Sequence, residues 1–149
     1  MATLKEYQAK RKFNKTTEPK GEISGSESRR FVVHEHHARN LHYDFRLEMK
    51  GVLKSWAVPN GVPEEPGIKR LAVRVEDHPV GYIGFSGIIP EGEYGAGEVK
   101  IWDKGKWKPI ECDLNKGSFK FILQGEKLKG EYGLVLFKDK KNWLIFKIK

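Results

Sequence analysis

The sequence predicts a mainly β protein: a compact antiparallel barrel with a short N-terminal helix and a mobile N-terminal segment. Three observations carry that expectation. Polar and apolar residues alternate strictly over Leu41–Met49 and again over Arg70–His78, the period-2 pattern of a half-buried strand. Further short stretches at 119–123, 131–137 and 143–148 are joined by Gly, Lys and Asp turns, the regular spacing of a barrel or sandwich. Helical spacing is confined to the start of the chain.

With 149 residues the chain fits one core that needs neither disulfide nor structural metal. Thr3 and Glu6 match a capping box, and Leu4, Tyr7 and Arg11 follow at helical spacing, which predicts a helix from Leu4 to Lys12. Residues 14–30, NKTTEPKGEISGSESRR, are polar and rich in Gly, Ser and Lys, which predicts a segment that orders only against a surface or partner. The expected division is therefore a helix and flexible arm over 1–30 and the barrel over 31–149.

The barrel should begin with a strand at Phe31–His36, a connection at 37–40 and a hairpin from Leu41 to Val58. Lys50-Gly51 falls where a two-residue turn needs positive φ. That register pairs Met49 with Val52, Phe45 with Trp56 and Tyr43 with Val58 in an apolar face. Asp44 then lies opposite Ala57, and Arg46 opposite Ser55, on the other face. A loop rich in Pro and Gly follows at 58–69. On the third alternating strand, Leu71, Val73 and Val75 are expected on one face, with Arg70, Ala72, Arg74, Glu76 and His78 on the other. Beyond it, 99–102 reads as a strand entering a tight turn at 103–107.

The chemistry concentrates in 31–58, which holds four of the five histidines. His42 and Asp44, at i and i+2, sit about 6.5 Å apart on one strand face and can reach one cation. With His36 or His78 they would form a site of two histidines and one carboxylate, for which manganese, iron or zinc are the candidates. Arg46 and Arg70 offer guanidinium forks suited to phosphate oxygens. EGEYGAGEV leads into a strand instead of a helix, so it reads as tight turns and not as a phosphate cradle. Ser55 lies in no nucleophile elbow.

Composition narrows the setting. A net charge of +8 and a pI near 9.5 favour a polyanionic partner. The single cysteine, Cys112, cannot close an internal disulfide, and no apolar run reaches membrane-span length; both point to a cytoplasmic protein with no membrane partner, and a monomer is expected.

At this point the motifs HHARNLHYDFRLEMKGVLKSWAVPNG, KRLAVRVEDHPVGYIGF and IPEGEYGAGEVKIWDKGKW resemble the 3'-phosphoesterase domain of bacterial DNA ligase D and its free-standing archaeal and bacterial versions. The resemblance runs from about Tyr7 to the C-terminus. It implies a barrel with its active site in a groove outside the barrel wall. It also implies manganese-dependent trimming of DNA or DNA–RNA 3' ends: a terminal ribonucleotide is removed to leave a 3'-phosphate, which is then converted to a 3'-hydroxyl. Cobalt or zinc would be substitute cations, and a separate ligase, polymerase or end-binding protein the implied partners. Position by position, the resemblance makes His36, His42 and Asp44 metal ligands and places Arg46, Arg70, His78 and Tyr82 around the scissile phosphate. It puts Ser55 nearby, with Arg11 and Glu18 reaching in from the N-terminal segment. Asn60 stands at a substrate-binding position where lysine is usual, and Lys12 where aspartate is usual. Two other readings are weighed beside this one: a nonhaem iron oxygenase using His42, Asp44 and His78, and a noncatalytic nucleic-acid-binding barrel using aromatics and lysines.

Overall fold

The structure, a computed structural model, describes residues 4–11, 13, 18, 28–113 and 115–149. Helix α1 (Lys5–Ala9) is shorter than the expected Leu4–Lys12. At its end Arg11 bonds back to Gln8 O at 3.3 Å, and its guanidinium takes the carbonyl of Tyr7 at 3.0 Å. Those two contacts replace the next helical turn. The capping-box residue Thr3 and most of the polar arm lie outside the described residues.

Nine strands are found among the described residues: β1 (Arg30–His37), β2 (Leu41–Met49), β3 (Val52–Val58), β4 (Lys69–Pro79), β5 (Gly87–Ile89), β6 (Gly97–Asp113), β7 (Ser118–Gly125), β8 (Lys129–Lys138) and β9 (Asn142–Lys147). The sheet runs β1-β2-β3-β4-β9-β8-β7-β6, and β6 pairs back with β1, closing an eight-stranded antiparallel barrel; β5 pairs with the start of β6. The β2–β3 hairpin has the expected register, including Asp44↔Ala57, Arg46↔Ser55 and Phe45↔Trp56. Its turn residues Lys50 and Gly51 both have positive φ, 54° and 82°, so the turn follows the right-handed twist of its strands.

The barrel interior is apolar: Phe31, Phe45, Leu47, Trp56, Trp107, Phe121, Tyr132 and Trp143 pack together there. A second cluster of Tyr7, Leu53, Tyr82, Phe85, Ile89 and Val99 lies apart from it. This cluster glues α1, the 3₁₀ turn Val80–Gly84 and β5 to the barrel wall, and it forms the floor of the site.

Two strand expectations need correction. The stretch 103–107 is not a turn but the middle of the 17-residue β6. Asp103 has turn chemistry because its carboxylate accepts the backbone N–H groups of Glu126, Lys127 and Leu128, capping the β7–β8 turn. On β4 the faces are exchanged. Ala72 is in the core, Arg74 lies 5.9 Å from the Trp56 ring, and Leu71 is exposed. Val75 instead lines the functional cavity. The β3–β4 register shifts between Leu53 and Ser55, and that irregularity brings His78 to the same side as Val75. Period-2 alternation holds only while the ladder is unbroken.

Candidate metal centre

His36, His42 and Asp44 each direct one ligand atom into a group spanning no more than 4.8 Å. Adjacent strands bring this about, because β1 and β2 place His36 directly opposite His42. Backbone carbonyls decide which nitrogens face inward. A carbonyl only accepts, so His36 Nε2–H donates to Gly95 O at 2.7 Å and His42 Nδ1–H donates to Asn40 O at 3.2 Å. What remains are the lone pairs of His36 Nδ1 and His42 Nε2. They face the Asp44 oxygens at 3.5 and 3.4 Å. Two nitrogen lone pairs against a carboxylate repel unless a cation or a proton lies between them, so this donor set fits a divalent metal. The hydrogen bond to Asp44 raises the pKa of His42 despite burial. Burial pushes the Asp44 carboxyl up, but Arg46 and the two histidines outweigh it and hold it well below the usual carboxylate range.

Arg46 borders this group. Its Nη2 lies 3.4 Å from Asp44, and its Nε–H donates to His34 Nδ1 at 3.3 Å. His34 in turn donates from Nε2 to Phe85 O at 3.1 Å, and burial followed by the Arg46 charge lowers its pKa to about 3. His34 is thus a neutral buried strut that aims the guanidinium. The guanidinium carbon stands 5.0 Å from the Tyr82 ring. Arg46 Nη1 is buried with no partner among the described residues. An unmatched buried cationic donor is costly and calls for an anion.

The cavity these residues line is about 230 Å³, with Arg11, Glu76, His78, Tyr82 and Tyr94 completing it. Arg11 binds Glu18 at 2.9 Å and Glu76 at 3.4 Å, and donates to His78 Nε2 at 3.3 Å. Because His78 Nδ1–H donates to the Glu76 carbonyl at 3.0 Å, the ring is the neutral Nδ1–H tautomer. Burial and the Arg46 and Arg11 charges keep its pKa well below the usual value. The Tyr82 hydroxyl donates to Glu18 at 2.6 Å, and burial raises its pKa, so it is a phenol and not a phenolate.

Of the residues singled out from sequence, the structure brings together His36, His42, Asp44, Arg46, His78, Tyr82, Arg11 and Glu18. His78 falls outside the three-residue ligand group, which leaves the His42/Asp44/His78 oxygenase triad unassembled. Ser55 is buried beside Arg46 in the ladder, and its hydroxyl is spent on Leu53 O at 3.1 Å. Arg70 and Asn60 line a separate pocket with Tyr43 and Trp102, where Arg70 donates to the Asn60 and Gly61 carbonyls at 2.9 and 3.1 Å. Lys12 lies outside the described residues. Sequence reasoning gave no part to Glu76, Tyr94 or the Gly95 carbonyl. The alternation of β4 does put Glu76 on the same face as His78, and both line the cavity, but a strand glutamate carries no signal of its own.

A family model described as the DNA Ligase D 3'-phosphoesterase domain matches residues 34–136. The multifunctional non-homologous end joining protein LigD of Pseudomonas aeruginosa is 48% identical over 155 residues, covering 98% of this chain and 18% of that protein. The protein of the same name from Mycolicibacterium smegmatis is 45% identical over 157 residues, covering 98% of this chain and 20% of that protein. The multifunctional non-homologous end joining DNA repair protein LigD of Mycobacterium tuberculosis is 42% identical over 151 residues, with the same coverage, 98% and 20%. The chain thus spans about a fifth of the length of these relatives. With a family model covering most of the barrel and such identity along nearly its whole length, the chain belongs to the DNA ligase D 3'-phosphoesterase domain family.

Proposed function

We propose that this chain is a manganese-dependent phosphoesterase of DNA 3' ends, which cuts a 3'-terminal ribonucleotide so that it leaves as the nucleoside and its phosphate stays behind as a 3'-phosphate, and then hydrolyses that phosphate to give a 3'-hydroxyl. The observation that carries the reading is the unpartnered, buried Arg46 Nη1 beside the converging lone pairs of His36, His42 and Asp44. It is a cationic donor with room for one anion next to a cation site. His36 Nδ1, His42 Nε2 and the Asp44 carboxylate would hold the metal, manganese in this reading with cobalt or zinc as substitutes. When bound it supplies Lewis-acid polarisation of a phosphoryl oxygen and a water of lowered pKa.

The chain's own residues do the rest. Arg46, aimed by His34, binds a non-bridging phosphate oxygen through Nη1 and stabilises charge as it develops. Arg11 adds a second guanidinium from the N-terminal segment. His78 enters neutral, with its Nε2 lone pair toward Arg11, so it does not protonate a leaving oxygen in that state. A phosphate drawn against it would favour the imidazolium, whose role is then to stabilise negative charge. Tyr82, kept protonated, holds Glu18 and through it Arg11.

The test is a primer-template ending in one ribonucleotide, incubated with and without manganese, with the 3' products identified. Ribonucleotide loss to a 3'-phosphate and then a 3'-hydroxyl, in wild type but not in His42→Ala, is the expected result. Unchanged products in His42→Ala, or no manganese requirement, would overturn the proposal. The partners in this reading are DNA or DNA–RNA 3' ends and a separate ligase, polymerase or end-binding protein.

A further inference from the structure

A second groove of about 460 Å³ adjoins the metal cavity, and the two share Val75, Glu76 and Tyr94 in their linings. The groove's far side is the β8–β9 turn with Lys140 and Lys141, and Lys10 at the end of α1 stands at its rim. Both turn lysines are exposed, and their ammonium groups make no hydrogen bond or ion pair among the described residues. The opposing charges are limited. Glu76 is engaged by Lys10 at 3.1 Å and by Arg11, which leaves exposed Glu6 as the remaining acid of the groove among the described residues. Arg74, also in the wall, adds a positive charge held against the Trp56 ring. Tyr94, 47% exposed, stands between the two cavities, with Lys10 Nζ 4.8 Å and Arg11 Cζ 5.3 Å from its ring centre.

We infer that this groove is the track for the nucleic-acid strand whose 3' end lies in the metal cavity. The strand leaves the cavity across Tyr94, on which a base or sugar stacks, and its next phosphates lie against Lys140 and Lys141. An aromatic ring beside unpaired cations is the arrangement that holds single strands without sequence preference, and the +8 net charge is consistent with such a partner. The inference rests on the phosphoesterase reading for the position of the 3' end. It adds a strand direction, two phosphate contacts and a stacking residue.

The test compares a dinucleotide and a twelve-nucleotide strand, both ending in a 3'-phosphate, in wild type and the double variant Lys140→Glu/Lys141→Glu. The turn is exposed, and the bond from Arg74 N uses only the Lys141 backbone carbonyl, so folding is preserved. The variant should raise KM for the long strand about 10-fold without changing kcat, leave the dinucleotide within twofold, and reduce the log–log salt slope by about 1.4. Tyr94→Ala should raise the long-strand KM about 10-fold, and Tyr94→Phe should restore it. Equal effects on both substrates, or none, would overturn the track. So would polyglutamate displacing the twelve-mer at lower concentration than unlabelled DNA, because the groove would then suit an acidic peptide better. If wild type releases phosphate from neither substrate, the phosphoesterase reading fails. The groove is then judged by anisotropy of an unphosphorylated twelve-mer: loss of binding in the double variant upholds it and unchanged binding overturns it.

Discussion

The Gly95 carbonyl takes the Nε2 proton of His36 at 2.7 Å, so a loop on the far side of β5 decides which imidazole nitrogen faces Asp44. Gly95 can hold that carbonyl there because its φ is +75°, a backbone state that costs an alanine about 1–2 kcal/mol. Gly95→Ala should therefore weaken manganese binding about 10-fold, the lower end of what loss of a ligand's orienting partner does. Calorimetric titration of the metal-free protein would show it, with His36→Ala as the reference for loss of the ligand itself. An unchanged affinity would mean that the carbonyl is not what orients the ring.

Arg46 has three engaged groups, with Nε on His34, Nη2 near Asp44 and its face on Tyr82, while Nη1 has no partner among the described residues. Lysine in its place keeps the charge and loses the fork. Arg46→Lys should lower kcat for release of a 3'-phosphate by about 10²-fold, the scale for losing one preorganised donor, while manganese affinity changes little. His34→Gln should move kcat in the same direction by a smaller factor, since His34 acts only through Arg46. A kcat of wild-type size in Arg46→Lys would show that the charge alone suffices.

How much of this was legible beforehand divides along physical lines. The β2–β3 hairpin was readable to the residue, because Lys50-Gly51 can only be a positive-φ turn and the alternation on both sides admits one register. His42 and Asp44 could be placed on one strand face for the same reason. The faces of β4 were hidden, since Arg70–His78 alternates as cleanly as β2 but is interrupted between Val75 and His78 by a register shift that arises in pairing with β3. Asp103 misled because its turn chemistry serves residues 126–128, more than twenty positions away. The tautomers of His36 and His42 depend on carbonyls from a loop and a connection, and no spacing rule reports on those.

His78 gives the protein an acid sensitivity of definite sign. Burial and two arginine charges depress its folded-state pKa, so between that value and about 6.5 the unfolded chain binds the proton and the folded chain does not. The stability it contributes is complete above about pH 6.5 and is lost as the pH falls towards the depressed value, by up to about 1.4 kcal/mol per pH unit. Urea unfolding of the metal-free protein at pH 7.5 and 5.5 should show wild type losing more stability than His78→Gln, by about 1–2 kcal/mol. Equal losses in the two proteins would place the acid sensitivity elsewhere.

Asp103 is a purely structural counterpart to those residues. It is buried on β6, away from the metal cavity, and accepts N–H groups from Glu126, Lys127 and Leu128 at 2.9, 3.1 and 2.8 Å. Gly125 packs so closely on it that an added Cβ would collide with its carboxylate. Asp103→Ala leaves these donors without their acceptor, and Leu128 N is buried, so the cost should be about 2–4 kcal/mol. Asp103→Asn keeps the shape and one good acceptor, and should cost about half as much. Guanidinium unfolding gives both values. The decisive comparison is activity per folded molecule, which should stay at the wild-type level in both variants because no part of the β7–β8 turn lines the cavity. A drop in kcat among the folded molecules would show that the turn and the metal centre are coupled through β6.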